Sequence, residues 1–321
     1  MYKVFLIYFL TAIFVRLKEK MLMKKNLLSK TTSTLNKLFI ITFFIFFPVI
    51  NSYSKCPDRI VSLTLASDEI LVDIVRDKDR IRALTYLSSD NNISNVADKT
   101  EGIPRIYANL EQVFELSPDI VIVASYINSN FRKQLADTKI NTLYLKELGT
   151  FDSIKENIRL IGKAVCEQKN AEELIKEMDK KLEKISKKIS INKPKPLVLY
   201  YSPSGDTAGF NSTINEIIEK AGAQNLGSKA GINGYGKISL EYIIENDPDL
   251  IILSSFNPSN PDFAKEFISN TALKDISAVR KDRVKVLAAK NLISASHYVV
   301  NSVDDLVDLV LDTYWKNELQ K

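Results

Sequence analysis

Histidine is almost absent, since His297 is the single one among 321 residues. That scarcity excludes a zinc centre built on several histidines. A Ser-His-Asp triad would have to use His297, in a chain that has no Gly-x-Ser-x-Gly elbow. No pair of carboxylates stands out for glycoside hydrolysis. The glycine-rich stretch Gly231-Ile232-Asn233-Gly234-Tyr235-Gly236-Lys237 imitates a P-loop, but Ile238 stands where a Ser or Thr is required, and no clear strand signal precedes it. Cysteine is scarce as well. Cys56 and Cys166 either pair or remain two buried thiols.

An excess of one charge is also missing from the body of the chain. The formal net charge is +5. Residues 1–54, however, hold eight basic residues and one acid, Glu19, which leaves 36 basic and 38 acidic residues from Lys55 onward. The basic balance belongs to the first segment and gives no support for nucleic-acid binding. Long apolar runs are absent too. Leu38 to Ile50 spans 13 residues, short of the ~18–20 that cross a bilayer as a helix.

That run reads as the core of an export signal. Lys24, Lys25, Lys30 and Lys37 precede it, and Ser52 and Ser54 follow at the −3 and −1 positions for cleavage after Ser54. The alternative is an uncleaved anchor. An earlier apolar run, Val4 to Val15, is unnecessary to a signal that starts at Met21 or Met23. Cys56 is not preceded by the small residues that a lipid-attachment signal needs, because Tyr53, Ser54 and Lys55 stand there.

The whole chain, with 45% apolar and 26% charged residues, has ordinary globular composition and a length that suits two domains. Short β-rich runs alternate with helical stretches, which signals an α/β fold with mostly parallel sheets. Strands are expected at Arg59–Leu65, Arg80–Tyr86, Ile120–Val123 and Thr142–Leu145, then at Leu197–Tyr201, Leu250–Leu253 and Val284–Leu287. A helix from about Ser67 to Val75 follows the first strand. A long charged helix, about Asn170 to Ile189, separates the halves. Ile175, Met178, Leu182, Ile185 and Ile189 fall on one of its faces, and Pro194 and Pro196 prevent its continuation. The expected organisation is a leader (1–54), a first α/β lobe (55–167), a linking helix (168–192) and a second α/β lobe (193–321).

An internal repeat is the most specific signal. Asn109-Leu110-Glu111-Gln112-Val113-Phe114-Glu115-Leu116-Ser117-Pro118-Asp119 runs into Ile120-Val121-Ile122-Val123. Ser239-Leu240-Glu241-Tyr242-Ile243-Ile244-Glu245-Asn246-Asp247-Pro248-Asp249 runs into Leu250-Ile251-Ile252-Leu253, at an offset of 130 residues. Each copy reads as an N-cap, a short helix, a Pro-Asp turn and a buried parallel strand. Two copies on either side of a long helix imply two similar lobes.

At this repeat the sequence resembles the periplasmic substrate-binding proteins of ABC importers that carry ferric siderophores and cobalamin. Arg59-Ile60-Val61-Ser62-Leu63 with Asp68 to Leu71, and Arg80 to Tyr86, are similar to that family's opening elements. Leu110-Glu111 with Pro118-Asp119, and Leu240-Glu241 with Pro248-Asp249, match its paired lobe motifs. The resemblance implies two Rossmann-like lobes joined by a single long helix, with a ligand cleft between them. It implies a monomeric, non-enzymatic periplasmic receptor that delivers a metal chelate to an ABC permease dimer with its ATPase. It also implies that Glu111 and Glu241 dock on the permease. Without the resemblance, each glutamate is simply a favourable charge in a helix's first turn.

Candidate ligand contacts are Tyr86, Tyr107, Tyr126, Tyr201 and Tyr235, whose rings offer an apolar face with a polar tip, together with Arg105, His297 and Tyr298. The alternative for such tyrosines is to cover the core at strand ends. No metal ligands and no cofactor are expected of the protein itself, because a chelator holds the metal. With a single histidine, the manganese- and zinc-binding relatives are disfavoured. The competing readings are a periplasmic α/β hydrolase-type enzyme and a membrane-tethered structural protein anchored by residues 1–50.

Overall fold

Alternating strand and helix signals become two parallel sheets in the computed structural model, which describes residues 55–146, 149–189, 194–256 and 262–315. The export signal and anchor readings, on residues 1–54, lie outside the described residues.

The first half contains β1 (Ile60–Ser62), α1 (Leu65–Ile74), β2 (Ile81–Thr85), β3 (Arg105–Ile106), α2 (Leu110–Glu115), β4 (Ile120–Val123), α3 (Ser129–Ala136), β5 (Thr142–Tyr144) and α4 (Phe151–Ala164). Helix α5 (Gln168–Ser186) follows. The second half contains β6 (Leu197–Tyr201), β7 (Asp206–Ala208), α6 (Thr213–Lys220), β8 (Gln224–Asn225), α7 (Leu226–Lys229), β9 (Tyr235–Lys237), α8 (Leu240–Asn246), β10 (Leu250–Ser255), α9 (Asp262–Ser269), α10 (Ser277–Arg280), β11 (Val284–Ala288), α11 (Ala289–Leu292) and α12 (Val299–Val310). The first sheet has the order β3-β2-β1-β4-β5 and the second β11-β10-β6-β8, while β7 and β9 form a small ribbon. All pairings within the two larger sheets are parallel, and the ribbon is antiparallel.

The opening strand is shorter than expected. Leu63 to Leu65 leave the sheet because Ser62 and Ser67 bond to each other through their hydroxyls at 2.6 Å, and Ser67 donates to the Thr64 carbonyl at 3.0 Å. Such local side-chain bonds favour a helix start over a strand.

The two copies of the repeat fold alike. Asn109 and Ser239 each accept from the backbone N–H three residues on. Each helix runs into a left-handed residue, Ser117 (φ 43°) or Asp247 (φ 40°), ahead of its proline. The aspartate after the proline then ties the second strand to the first. Asp119 accepts from the backbone N–H groups of Asp58 (2.9 Å) and Arg59 (3.0 Å) and from the Arg59 guanidinium (2.7 Å). Asp249 accepts from the Leu197 N–H at 2.9 Å. The hydrogen bond from Arg59 holds the Asp119 carboxyl below its ordinary range. Asp119→Ala should lower the urea midpoint by a small, measurable amount, because its three hydrogen bonds are exposed to solvent, and leave ligand affinity intact.

Helix α5 buries Ile175, Met178 and Ile185, with Leu182 and Ile189 half-buried against the same core. It ends at Ser186, a turn before the expected Ile189. One continuous apolar core passes from Ile70 of α1 and Ile158 of α4, through α5, to Ile217 of α6 and Leu306 of α12. For that reason the described residues from Cys56 onward form one compact unit, although their sheets are separate.

A bracket holds the beginning of α5 to lobe one. Cys56 and Cys166 form a disulfide, with Cα atoms 5.7 Å apart. Beside it the Arg80 guanidinium bonds Glu167 (2.7 Å), the Val165 carbonyl (2.5 Å) and the Pro57 carbonyl (3.1 Å).

Candidate ligand cleft

In open parallel sheets ligands collect at the carboxyl ends of the strands. Tyr86 follows β2, Tyr107 follows β3, and Tyr126 lies three residues past β4. All three rings are exposed. Tyr86 and Tyr107 stack on each other with centroids 4.5 Å apart and planes 26° apart, forming one aromatic platform. In the second sheet the matching edge carries Tyr201 at the end of β6, Phe256 just past β10, and Ala289 just past β11.

A cavity of about 240 Å³ opens between these edges. The first lobe lines it with Leu65, Ala66, Glu69, Leu87, Ile93 and Tyr126, and the second with Phe256, Lys290, Ile293 and Ser294 among others. Tyr126 and Phe256 are 71% and 52% exposed, large fractions for rings beside a cavity. Phe256 was not among the expected contacts. Its signal was the repeat itself, because Tyr126 and Phe256 are separated by the same 130 residues as the two motifs.

The floor of the cavity is polar and joins the lobes. Glu69 is buried, and its carboxylate accepts from the backbone N–H (2.8 Å) and side chain (3.0 Å) of Asn95. From the second lobe the hydroxyls of Ser296 and Ser294 donate to it. Asn95 also donates to the Lys290 carbonyl at 2.9 Å, and Lys290 returns a bond to the Asn91 carbonyl at 3.0 Å. Burial raises the Glu69 pKa against these bonds. The available signal was a pair of adjacent acids, Asp68 and Glu69, beside the apolar run Ile70-Leu71-Val72 of the same helix.

Asp68 is fully buried and locks α1 to the end of β2. It accepts from the Thr85 hydroxyl at 2.5 Å and from the Thr85 N–H at 3.2 Å. Desolvation pushes its pKa up to about 7 in spite of those bonds. The unfolded value is about 3.9. Between these values the folded state holds a proton that the unfolded chain has released, so Asp68 costs stability as pH rises through that window. Asp68→Asn should remove this slope. Relative to the variant, the urea midpoint of the native protein should fall from pH 4 to pH 7.

Other expected contacts sit elsewhere. Tyr201 is half-buried against Phe263 and Phe267, at centroid distances of 6.2 and 5.0 Å, and belongs to the second lobe's own core. Arg105 closes its local loop, donating to the Thr100 carbonyl (2.9 Å), the Thr100 hydroxyl (2.6 Å) and the Ile103 carbonyl. Tyr235 exposes its ring on β9. The glycine-rich stretch before it makes a tight turn, with Gly231 at φ 76° and Gly234 at φ 70°, and leads into the β7–β9 ribbon.

His297 and Tyr298 lie at the far end of α1 from Leu65. His297 Nε2 and Asp73 Oδ2 are 2.9 Å apart, and Tyr298 donates to the same oxygen at 2.7 Å. Lys99 bonds both Asp73 and Tyr298 at 2.9 Å. Burial alone would raise the Asp73 pKa, but the His297, Lys99 and Tyr298 bonds hold it well below the usual carboxylate range. Burial first, with Asp73 nearby, pushes Tyr298 up to about 12. These residues border a second cavity of about 360 Å³ between α1, α5 and α12. Among the described residues no group of three or more His, Cys, Asp or Glu is placed to hold a metal ion.

Glu111 and Glu241 are both exposed in the first turn of their short helices. The Glu241 carboxyl is held below its ordinary pKa by its own backbone N–H and the Ser239 hydroxyl.

The sequence matches the periplasmic binding protein family over residues 60–290. The chain belongs to that family. An uncharacterized ABC transporter substrate-binding lipoprotein of Bacillus subtilis is 25% identical over 270 residues, which is 81% of this chain and 82% of that protein. A cobalamin-binding protein of Halobacterium salinarum is 23% identical over 61% of this chain and 53% of its own length. Among solved structures, a periplasmic heme-binding protein from Roseiflexus sp. RS-1 in apo form has a TM-score of 0.70 at 20% identity, covering 80% of this chain and 98% of that one. These neighbours confirm the two-lobed α/β architecture for this periplasmic binding protein.

Proposed function

We propose that this periplasmic binding protein is the monomeric receptor of an ABC importer, catching a metal chelate, a ferric siderophore or a corrinoid, between its lobes. The single observation that carries this reading is the pair Tyr126 and Phe256, one ring from each lobe at repeat-equivalent positions on one shared cavity. The cavity, at about 240 Å³, is below the ~300–1,000 Å³ of an ordinary small-molecule pocket. A chelate would therefore seat one edge on the floor and lay its body against Tyr126, Phe256 and the Tyr86–Tyr107 platform. Apolar rings with polar tips suit a large ligand whose metal is already coordinated. The relatives named for cobalamin and heme support the class of ligand, and no step needs a catalytic residue of this chain. The single histidine is bonded to Asp73 and lines the second cavity, not this one.

The same reading has residues 1–54 serve as a cleaved export signal, which puts the body in the periplasm. Among the described residues no helix is long and apolar enough to cross a membrane. Delivery is to a permease dimer with its ATPase, through Glu111 and Glu241. The test of the cleft is calorimetric titration with ferric hydroxamate, ferric citrate, heme and cobalamin. Tyr126→Ala with Phe256→Ala should weaken the tightest of these at least tenfold, on the scale of lost aromatic anchors, with an unchanged melting temperature. Equal affinity in the double variant would remove the cleft assignment.

A further inference from the structure

The two repeat helices match beyond their glutamates. Val113 and its counterpart Ile243 are fully buried and fasten α2 and α8 to their sheets. The next residue along, about 100° further round the helix, is a large apolar side chain turned to solvent in both lobes. Phe114 is 53% exposed and Ile244 44%. A glutamate follows each, Glu115 and Glu245, and both are exposed. Each lobe therefore presents an acid, an exposed apolar side chain and a second acid on six residues or fewer of helix surface.

One exposed apolar residue needs no explanation on a soluble protein. Two at equivalent positions, each flanked by acids at the same spacings, do. The sheet has no use for them, because the buried neighbour already fills the core side. The helices also share a placement. Each passes through a left-handed residue and a proline into its strand, so it runs against that strand and begins near the carboxyl edge of its sheet. In lobe one this is visible directly, since the Tyr107 N–H donates to Gln112 of α2 at 3.1 Å.

We infer that each lobe docks through a three-residue patch, Glu111/Phe114/Glu115 on one side and Glu241/Ile244/Glu245 on the other. The partner is the two-fold symmetric membrane permease, offering in each half an apolar recess ringed by basic side chains. The inference rests on the docking reading of Glu111 and Glu241 and adds its apolar half. The duplication on this chain calls for a partner with two equivalent sites, and the four carboxylates call for positive charge around them. A recess that takes a ring in one half and a branched chain in the other must be shallow. In such a contact the acids steer and orient, while the desolvated apolar side chain slows dissociation.

The experiment is binding of the mature protein to its permease–ATPase complex in lipid nanodiscs, across a salt series. Phe114→Ala with Ile244→Ala should weaken binding roughly tenfold or more without changing its salt dependence. Glu111→Arg with Glu241→Arg should weaken binding and flatten the salt dependence. Alanine favours the helix, and an unchanged melting temperature with unchanged chelate affinity separates lost docking from lost fold. If the apolar double variant binds within about twofold of the native protein while the charge reversal fails to bind, docking stands and the apolar contact is refuted. If neither variant loses affinity, the docking reading itself falls, and this inference with it.

Discussion

Replacing Cys56 and Cys166 with alanine should lower the melting temperature by roughly 10 °C. The bridge joins residues 110 apart in sequence, and closing a loop of that length removes about 4–5 kcal/mol of unfolded-chain entropy in the simplest treatment. The Cα separation of 5.7 Å is ordinary for a disulfide. Cys166 already occupies a left-handed backbone (φ 61°) that alanine would adopt at similar cost. The neighbouring ion pair of Arg80 and Glu167, both largely buried, remains in the variant. Differential scanning calorimetry with and without reductant gives the comparison. A shift under about 2 °C would mean that Arg80 and its carbonyl partners hold the bracket without the covalent bond. An intact bridge also fits an exported protein, because such bonds persist in oxidising compartments.

Reversing both docking charges, Glu111→Arg with Glu241→Arg, should reduce chelate uptake by cells at least a hundredfold while the purified protein binds chelate normally. Exposed charges contribute little to stability, so the fold should survive. Glu241 gives up a helix-start interaction with its own N–H and Ser239, a small local loss. In the proposed docking, what changes is the encounter, where like charges would face each other across the contact. Normal uptake in the double variant would show that the two glutamates are only favourable helix-start charges.

The fold was largely legible because the repeat carries its own check. The caps, the left-handed residues and the strand-tying aspartates all recur 130 residues apart, and the lone stripe on α5 marks the helix buried by both halves. The site was legible only in part. Tyr126 borders the cavity, and Tyr86 and Tyr107 stack on each other past the ends of β2 and β3. Tyr201 ends a strand too, but Phe263 and Phe267, some sixty residues on, cover it. His297 and Tyr298 turn to Asp73 across more than two hundred residues, a pairing no local pattern encodes. Glu69 escaped for the same reason, because its partners Ser294 and Ser296 come from the other lobe.

The central claim is that the cleft holds a chelate, and the most direct test is native purification. The mature protein should be taken from cells supplied with iron and cobalt, and its absorbance and intact mass recorded before and after mild denaturation. The account predicts one bound metal chelate per chain, released on unfolding and rebound on refolding, with rebinding lost in the Tyr126→Ala, Phe256→Ala variant. A protein that carries nothing and binds none of the four test chelates, yet turns over a substrate in a His297-dependent way, would contradict it.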